Sequence, residues 1–387
     1  MGMKFVLYTN SISAHQLPLA RELVRRIGAE NFRYVYTGRM QGGGQEIAAT
    51  ESWIVLEDET TDALLRQCDV LLSGNRAIDV FEDRSAHVKL TLYMSERWFK
   101  PIRVMRNVWL PGWLRMLVPS YRRMAARFAA LLPNASFRYL PVGPWAAKDM
   151  VKMCRLVGCP CPEKSFIPWG YFVEPSNLKP ADDRGNSSSS LKLLWGGRML
   201  DWKRVDTIVK AVRARYVATQ RPSFHDSQHS GEAVPSPLQF ERNTCPSRPN
   251  LTLTLVGDGP ERKRLEKLAR GLPVTFLPPQ PIGRIRAIMR AHDVYILSSN
   301  AVEGWGAALN EAIEEGMKVL GTHEAGSSAA LLPESCLFRA DDWRRLATLL
   351  TMGIATPSLV GHTPSDSAER LVRLMREFEV LSKREII

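Results

Sequence analysis

Residues 295–333 read YILSSNAVEGWGAALNEAIEEGMKVLGTHEAGSSAALLP, and few folds accept that order of residue types. An apolar run from Val294 to Leu297 ends in a loop of small residues, and a helical pattern follows. A second apolar run, Lys318 to Leu320, then leads into another Gly/Ser loop. Strand, helix and strand in this order make a βαβ unit, the mark of an α/β architecture. A helix that begins near Gly306 turns its free N–H groups and positive dipole end toward the loop, where a phosphate is favoured. Gly304 and Gly306 let a ligand approach the backbone closely. Glu303 and Glu311, eight residues apart, then place one carboxylate in the loop and one a turn or more into the helix. The competing reading of that pair is a solvated helix face.

The N-terminus repeats the alternation. KFVLYTN is a β-rich run that ends in a polar loop, and LPLARELVRRIG spaces Leu17, Ala20, Leu23, Val24 and Ile27 along one helix face. Gly28 stops the helix, and FRYVYT supplies the next strand. This is a doubly wound start, in which ligands gather beyond the carboxyl ends of the strands. The loop Asn10 to Gln16 is therefore a candidate wall of a site, with Ser13 and His15 facing an acceptor or a phosphate. His15 reads equally as a polar residue near a helix start. WIVLE, DVLLSG and VKLTLYM add short strands, separated by helical segments around Thr61 to Gln67 and Arg76 to Arg84. FRYLPVG, WAAKDMVKMCRLVG and KSFIPWGYFV close the first half as strand, helix and strand. Gly42 to Gly44 lack the spacing to Lys and Ser/Thr of a phosphate-binding loop, which leaves a mobile loop near the cleft.

The 387 residues suit two domains. We expect a first domain over 1–175, a Ser/Gly-rich linker over 176–190 and a second domain over 191–360. A flexible insertion is expected over 218–250, and a C-terminal helix over 361–387 that packs back on the first domain. Net charge is +12, from 52 Lys and Arg against 40 Asp and Glu, which calls for an anionic partner. The six scattered cysteines match no standard zinc spacing and read as free thiols of a reducing compartment. The first residues turn polar too soon for a signal peptide, and no stretch is apolar for the length of a spanning helix. Between Trp98 and Leu132, arginines alternate with Trp98, Trp109, Trp113 and bulky aliphatics. That mixture suits an anionic membrane surface. A base-stacking surface and a buried helix with snorkelling arginines are the alternatives.

Three segments of the second half together resemble a known family. GGRMLDWK resembles a G-R-[LM]-x3-K segment, LVGDGP a V-G-x-G-P turn, and Glu303 to Glu311 an E-x7-E motif. All three are features of glycosyltransferase family 4, retaining enzymes of the GT-B fold. The resemblance implies two Rossmann-like domains facing a cleft, a nucleotide-sugar donor and no metal, and the chain has no Asp-x-Asp. It implies that Arg198 and Lys203 hold the donor diphosphate, that Glu303 contacts the donor sugar, and that Glu311 contacts the ribose. Gly197, Gly257, Gly304, Trp305 and Gly306 complete the nucleotide-sugar set. The chain departs from the family pattern at four places. Trp305 stands for the usual Phe, Arg204 for a Gly, Pro278 for a Gly near the base, and Ser95 with Glu96 for a His near the reacting sugar. Glu96 joins Ser13 and His15 on the acceptor side.

The implied activity is retaining transfer of a sugar to a glycan or lipid-linked acceptor in cell-surface polysaccharide or glycolipid synthesis. It would take place in the cytoplasm, at the inner face of a membrane, with no nucleic acid involved. A silent nucleotide-sugar binder, a nucleotide-sugar epimerase of the same fold and a basic RNA-binding module remain the alternatives. The joint presence of Arg198, Lys203, Glu303 and Glu311 speaks against the last.

Overall fold

In the computed structural model the described residues are 2–38, 50–75, 77–105, 108–176, 190–220, 250–354, 357, 359 and 362–384. The Gly42 to Gly44 loop, most of the expected linker and residues 221–249 of the expected insertion lie outside them. The strands of the first half are β1 (Phe5–Thr9), β2 (Phe32–Tyr36), β3 (Ile54–Leu56), β4 (Val70–Ser73), β5 (Leu90–Ser95), β6 (Ile102–Met105), β7 (Val108–Leu110) and β8 (Phe137–Pro141). Its helices are α1 (Leu17–Ile27), α2 (Thr61–Gln67), α3 (Ile78–Ala86), α4 (Pro119–Leu131) and α5 (Pro144–Val157). The second half carries strands β9 (Ser190–Gly196), β10 (Asn250–Val256), β11 (Val274–Leu277), β12 (Val294–Leu297), β13 (Lys318–Thr322) and β14 (Leu337–Phe338). Its helices are α6 (Val205–Gln220), α7 (Arg262–Leu268), α8 (Ile282–Arg290), α9 (Ala308–Glu314), α10 (Gly326–Leu331) and α11 (Trp343–Leu349), and α12 (Pro364–Arg384) follows.

Two six-stranded sheets result, in the orders β3-β2-β1-β4-β5-β8 and β11-β10-β9-β12-β13-β14. Every neighbouring pair within them is parallel. Parallel sheets are covered on both faces, which is why β1, β4 and β12 are buried at every position. In each sheet the order reverses beside the first strand: β1 next to β4, and β9 next to β12. Crevices for ligands open beyond the carboxyl ends at such points. The loops after β9 and β12 are those that carry Arg198, Lys203 and Glu303. Two doubly wound domains, as expected, thus present their strand ends to one another.

α12 returns to the first domain, where Ala368, Leu371 and Met375 join the cluster that contains Phe5, Leu7 and Leu23. KSFIPWGYFV is not the strand expected of it. Pro168 cannot donate to a ladder, and the segment meets β8 only through the bridge Val142–Trp169 and a few single bonds, such as Ile167 N–H to the Tyr139 carbonyl. β13 runs two residues beyond the expected end at Leu320.

Trp98 to Leu132 is partly core and partly surface. Trp98, Phe99 and Met116 are core residues. Arg127 is spent on Glu82 and Asp79, and Arg115 donates to the Lys100 carbonyl. The apolar surface in this region is instead Val104, Met105, Val108 and Leu110 of the antiparallel hairpin β6–β7, with Leu117 and Val118 beyond it. Among the described residues, no helix is long and apolar enough to cross a membrane. Cys68, Cys154, Cys159, Cys161 and Cys336 are free thiols.

Candidate functional site

The loop after β9 begins with Gly197 and ends in a short 3-10 turn, Asp201–Lys203, before α6. Gly257, at the end of β10, has φ +133°, and a β-carbon there would overlap the Gly197 carbonyl. Glycine at 257 therefore lets the backbone pass close to the Gly197 carbonyl just beyond the paired ends of β9 and β10. Arg198 is exposed at this loop, where its carbonyl accepts from the Leu200 N–H, and its side chain makes no ion pair or hydrogen bond among the described residues. Lys203 reaches the other wall and ion-pairs with Glu303, whose Oε2 also accepts from the Ser299 hydroxyl at 2.9 Å. Their side chains are only 19% and 13% exposed. Lys203 also lies over the Trp202 ring, 4.5 Å from its centroid. A pair so enclosed is screened less than a surface pair.

The loop after β12 holds Glu303 to Gly306. Gly306 has φ +91°, a conformation that favours glycine, and α9 starts two residues later. Trp305 does not face a ligand. Its indole is fully buried among first-domain residues, stacked on His362 at 5.4 Å and donating to Asn310 Oδ1 at 2.9 Å. A β-carbon on Gly170 would press on the indole. The larger ring at this place fills the seam between the domains. Gly304 is also not open to a ligand at its α-carbon, because the Glu96 carboxylate packs there.

Glu311, on α9, is buried, and burial pushes its carboxyl up to about 7, with Glu315 adding to the rise and Arg286 opposing it. His15 faces it, with Nδ1 4.0 Å from Oε1. Burial lowers the proton affinity of this imidazole, and its ring stacks on Tyr171 at 6.2 Å. His15 thus belongs to the wall that holds Glu311 rather than to a separate acceptor side. The two line a cavity of about 300 Å³ with Leu17, Val173, Ile282 and Arg286. Arg286 is itself held by the buried Glu315 at 2.5 Å. Ser13 is occupied in shaping the entry to α1: its Oγ accepts from the His15 N–H at 3.2 Å, and its carbonyl accepts from Gln16 and Leu17. Of the residues at the end of β5, Ser95 pairs with the Tyr139 hydroxyl at 3.0 Å, whereas Glu96 faces the cleft.

Sequence reasoning missed Tyr171, Lys100 and Arg286. Lys100 stands four residues after Glu96, a spacing that was legible. Tyr171 and Arg286 carry no local signal, because they reach the site only when the domains meet. Among the described residues, no group of three or more His, Cys, Asp or Glu is arranged to hold a metal ion.

The loop after β9 thus carries Arg198 and Lys203, the loop after β12 carries Glu303 in contact with Lys203, and Glu311 stands on the helix that follows, facing His15 of the first domain. Residues 238–350 match the sequence model of the family described as glycosyl transferases group 1. That match covers less than a third of the chain. No curated protein matches the chain by sequence.

The whole chain is similar in fold to several solved structures. HepE of Anabaena, in complex with UDP and glucose, superposes with a TM-score of 0.55 at 13% identity, covering 98% of this chain and 99% of that one. The lipopolysaccharide outer core galactosyltransferase WaaB gives 0.56 at 10% identity, over 90% and 89% of the two chains. A UDP-forming α,α-trehalose-phosphate synthase from Burkholderia xenovorans gives 0.54 at 10% identity, over 97% and 96%. At such identities the likeness establishes the fold, GT-B, for this chain.

Proposed function

We propose that the protein is a retaining glycosyltransferase that moves a sugar from a nucleotide-sugar donor to a glycan or lipid-linked acceptor. The observation that carries this reading is the enclosed Lys203–Glu303 pair at the switch point of the second sheet, with Arg198 on the same loop as Lys203 and Glu311 on the helix after Glu303. The group 1 family match over 238–350 supports it. So do fold neighbours whose complexes contain UDP and glucose. In this reading Arg198 and Lys203 hold the donor diphosphate and offset the charge that builds on it as it leaves. Glu303 accepts hydrogen bonds from donor-sugar hydroxyls, and Glu311 accepts from the ribose. The leaving phosphate takes the acceptor's proton on the face from which it departs, so the anomeric configuration is kept. The reading calls for no metal.

A thermal-shift screen of UDP-, GDP- and ADP-sugars tests the donor class, and NMR of the anomeric proton in the product tests retention. An inverted product, or no shift with any of the three, would overturn the reading. Binding without transfer to any acceptor would favour a silent binder, and a changed sugar on the recovered donor an epimerase.

Glu311 gives this binding a pH dependence. Its carboxyl is raised to about 7 by burial, so the acceptor form that a ribose hydroxyl needs prevails only above that pH. Affinity for a nucleotide sugar, whose diphosphate diester does not titrate here, should rise as pH goes from 6 to 8, by at most roughly tenfold per unit below 7. Stability of the free protein has the opposite sign. The raised carboxyl contributes most below the ordinary carboxylate range, and that contribution is lost as pH rises through about 7. Calorimetric titration checks the affinity and melting as a function of pH checks the stability, and Glu311→Gln should lose the part of each trend that this carboxyl supplies. A pH-independent wild type would remove Glu311 from the ribose.

We also propose that the acceptor is met at an anionic membrane surface. Leu110, Leu117 and Val118, the last two 73% and 51% exposed, flank Trp113. Lys152 lies over that ring at 5.1 Å and borders a groove of about 560 Å³ with Lys148 and Arg155. Flotation with acidic liposomes should carry the protein upward at low salt and release it at high salt. Equal behaviour on neutral and acidic liposomes would reject this surface.

A further inference from the structure

The Lys203–Glu303 pair has a counterpart on the opposite wall. Glu96 follows β5 directly, at the carboxyl edge of the first sheet, and Lys100 donates to its Oε2. The Tyr171 hydroxyl donates to its Oε1 at 2.9 Å. Burial and the nearby charges of Glu96 and Glu303 hold the Tyr171 phenol far above its ordinary proton affinity, so it remains a donor. Each carboxylate oxygen can accept twice. One position on each oxygen therefore stays open, and the side chain is 29% exposed.

Gly304 shows how closely this carboxylate approaches the donor loop. Its backbone is not in the left-handed region, so any residue could adopt the conformation. What excludes a side chain is space, because a β-carbon would overlap Glu96 Oε2. Gly304 is thus flanked by Glu303, its chain neighbour, and by Glu96, which comes from the other domain. Each of these glutamates has its own lysine.

A role in stability alone explains this poorly. The segment with Tyr171 is already fixed by Asn310 Nδ2 on the Tyr171 carbonyl, 3.2 Å, and by Phe172 N–H on the His15 carbonyl, 2.9 Å. The domains are joined independently by Arg97 on the Ala301 carbonyl and Trp145 on the His323 carbonyl. A partly exposed ion pair adds little to stability.

We propose that Glu96 binds the acceptor, taking a hydrogen bond from the hydroxyl next to the attacking one, and that Lys100 and Tyr171 are positioning residues for its carboxylate. The proposal rests on the glycosyltransferase reading and assigns the acceptor a chemical class, a sugar with vicinal hydroxyls. The attacking oxygen bonds to the anomeric carbon, the bond from that carbon to the phosphate oxygen breaks, and the attacking hydroxyl's proton passes to that phosphate. Glu96 gains only a hydrogen bond. In hydrolysis one water attacks in the acceptor's place and gives its proton to the phosphate, and a second, held by Glu96 where the vicinal hydroxyl would lie, orients it.

The test uses the full chain and whichever of UDP-glucose, GDP-mannose and ADP-glucose stabilises the wild type. Donor affinity is measured by calorimetry, and release of the nucleoside diphosphate into water by single turnover. Glu96→Gln should bind the donor within about twofold but hydrolyse it roughly ten- to a hundredfold more slowly, the usual worth of a hydrogen bond to a charged group. Tyr171→Phe and Lys100→Met should show the same split to a lesser degree, and Glu96→Asp should recover part of the rate. Donor affinity and rate falling together would place Glu96 on the donor and overturn the proposal, as would an unchanged rate. If the wild type binds none of the three donors, the glycosyltransferase reading itself fails. If it binds a donor and only Glu96 proves silent, that reading stands without this proposal.

Discussion

Replacing Lys203 by alanine should slow sugar transfer by about a hundredfold, the usual loss when one fixed group is taken from a developing charge. The ion pair makes this more than the loss of one cation. Lys203 and Glu303 hold each other across the loops after β9 and β12, and both are largely enclosed. Without the lysine, the Glu303 carboxylate keeps only Ser299 among its described partners and no longer has a fixed direction. Glu303→Gln should leave binding of the free nucleotide intact and also remove most transfer, since a neutral amide replaces a charged acceptor. Because the two act through one contact, the double variant should fall well short of the product of the single losses. Arg198→Ala should behave independently, as Arg198 takes no part in the pair. Transfer rates and donor affinities for the four variants make the check. Near-wild-type turnover in Lys203→Ala, with the fold intact, would remove the diphosphate from this wall.

The largest effect on stability should come from Trp305→Ala. A buried tryptophan cut to alanine typically costs about 3–5 kcal/mol. Here the indole is 0% exposed and fills the seam between the domains. Its loss also leaves Asn310 without one hydrogen-bond donor and His362 without the ring on which it stacks. Because Trp305 is two residues from Glu303, nucleotide-sugar affinity should fall together with the melting temperature. Trp305→Phe should recover much of the stability, though not the hydrogen bond to Asn310. Differential scanning calorimetry with and without donor separates these outcomes. An unchanged melting temperature for the alanine variant would mean that the seam does not depend on this residue.

These two sites mark what a sequence can and cannot reveal. Glu303, Lys203 and Arg198 were legible because each lies in a loop between a strand and a helix, and local periodicity places such loops at the carboxyl edge of a sheet. The two parallel sheets were legible for the same reason. The fate of Trp305 was not legible, because an aromatic beside two glycines suits a ligand platform as well as a wedge. Only the first domain, more than a hundred residues away in the chain, decides between them. His15 and Ser13 show the same limit: their loop was placed correctly, but which wall they serve depends on where α9 comes to rest. In the stretch 98–132 the pattern of tryptophans and arginines is amphipathic in either setting, so it does not tell core positions from surface ones. Trp98 meets Phe128 at 5.1 Å and points inward, a contact that no spacing within 98–132 discloses.

The return of α12 has a consequence for how the chain is made. Ala368, Leu371 and Met375 pack with Phe5, Leu7 and Leu23, so the first domain brackets the second in the polypeptide. The first domain is made before the second, yet the cluster beneath α12 stays open until α12 has been synthesised. The second domain can close around its own cluster earlier, since Leu193 to Leu350 lie within one continuous stretch. This one cluster should therefore close against the order of synthesis, after the second domain has sealed. During that interval the apolar flank of α1 is uncovered, and quality control would have its longest opportunity to act there.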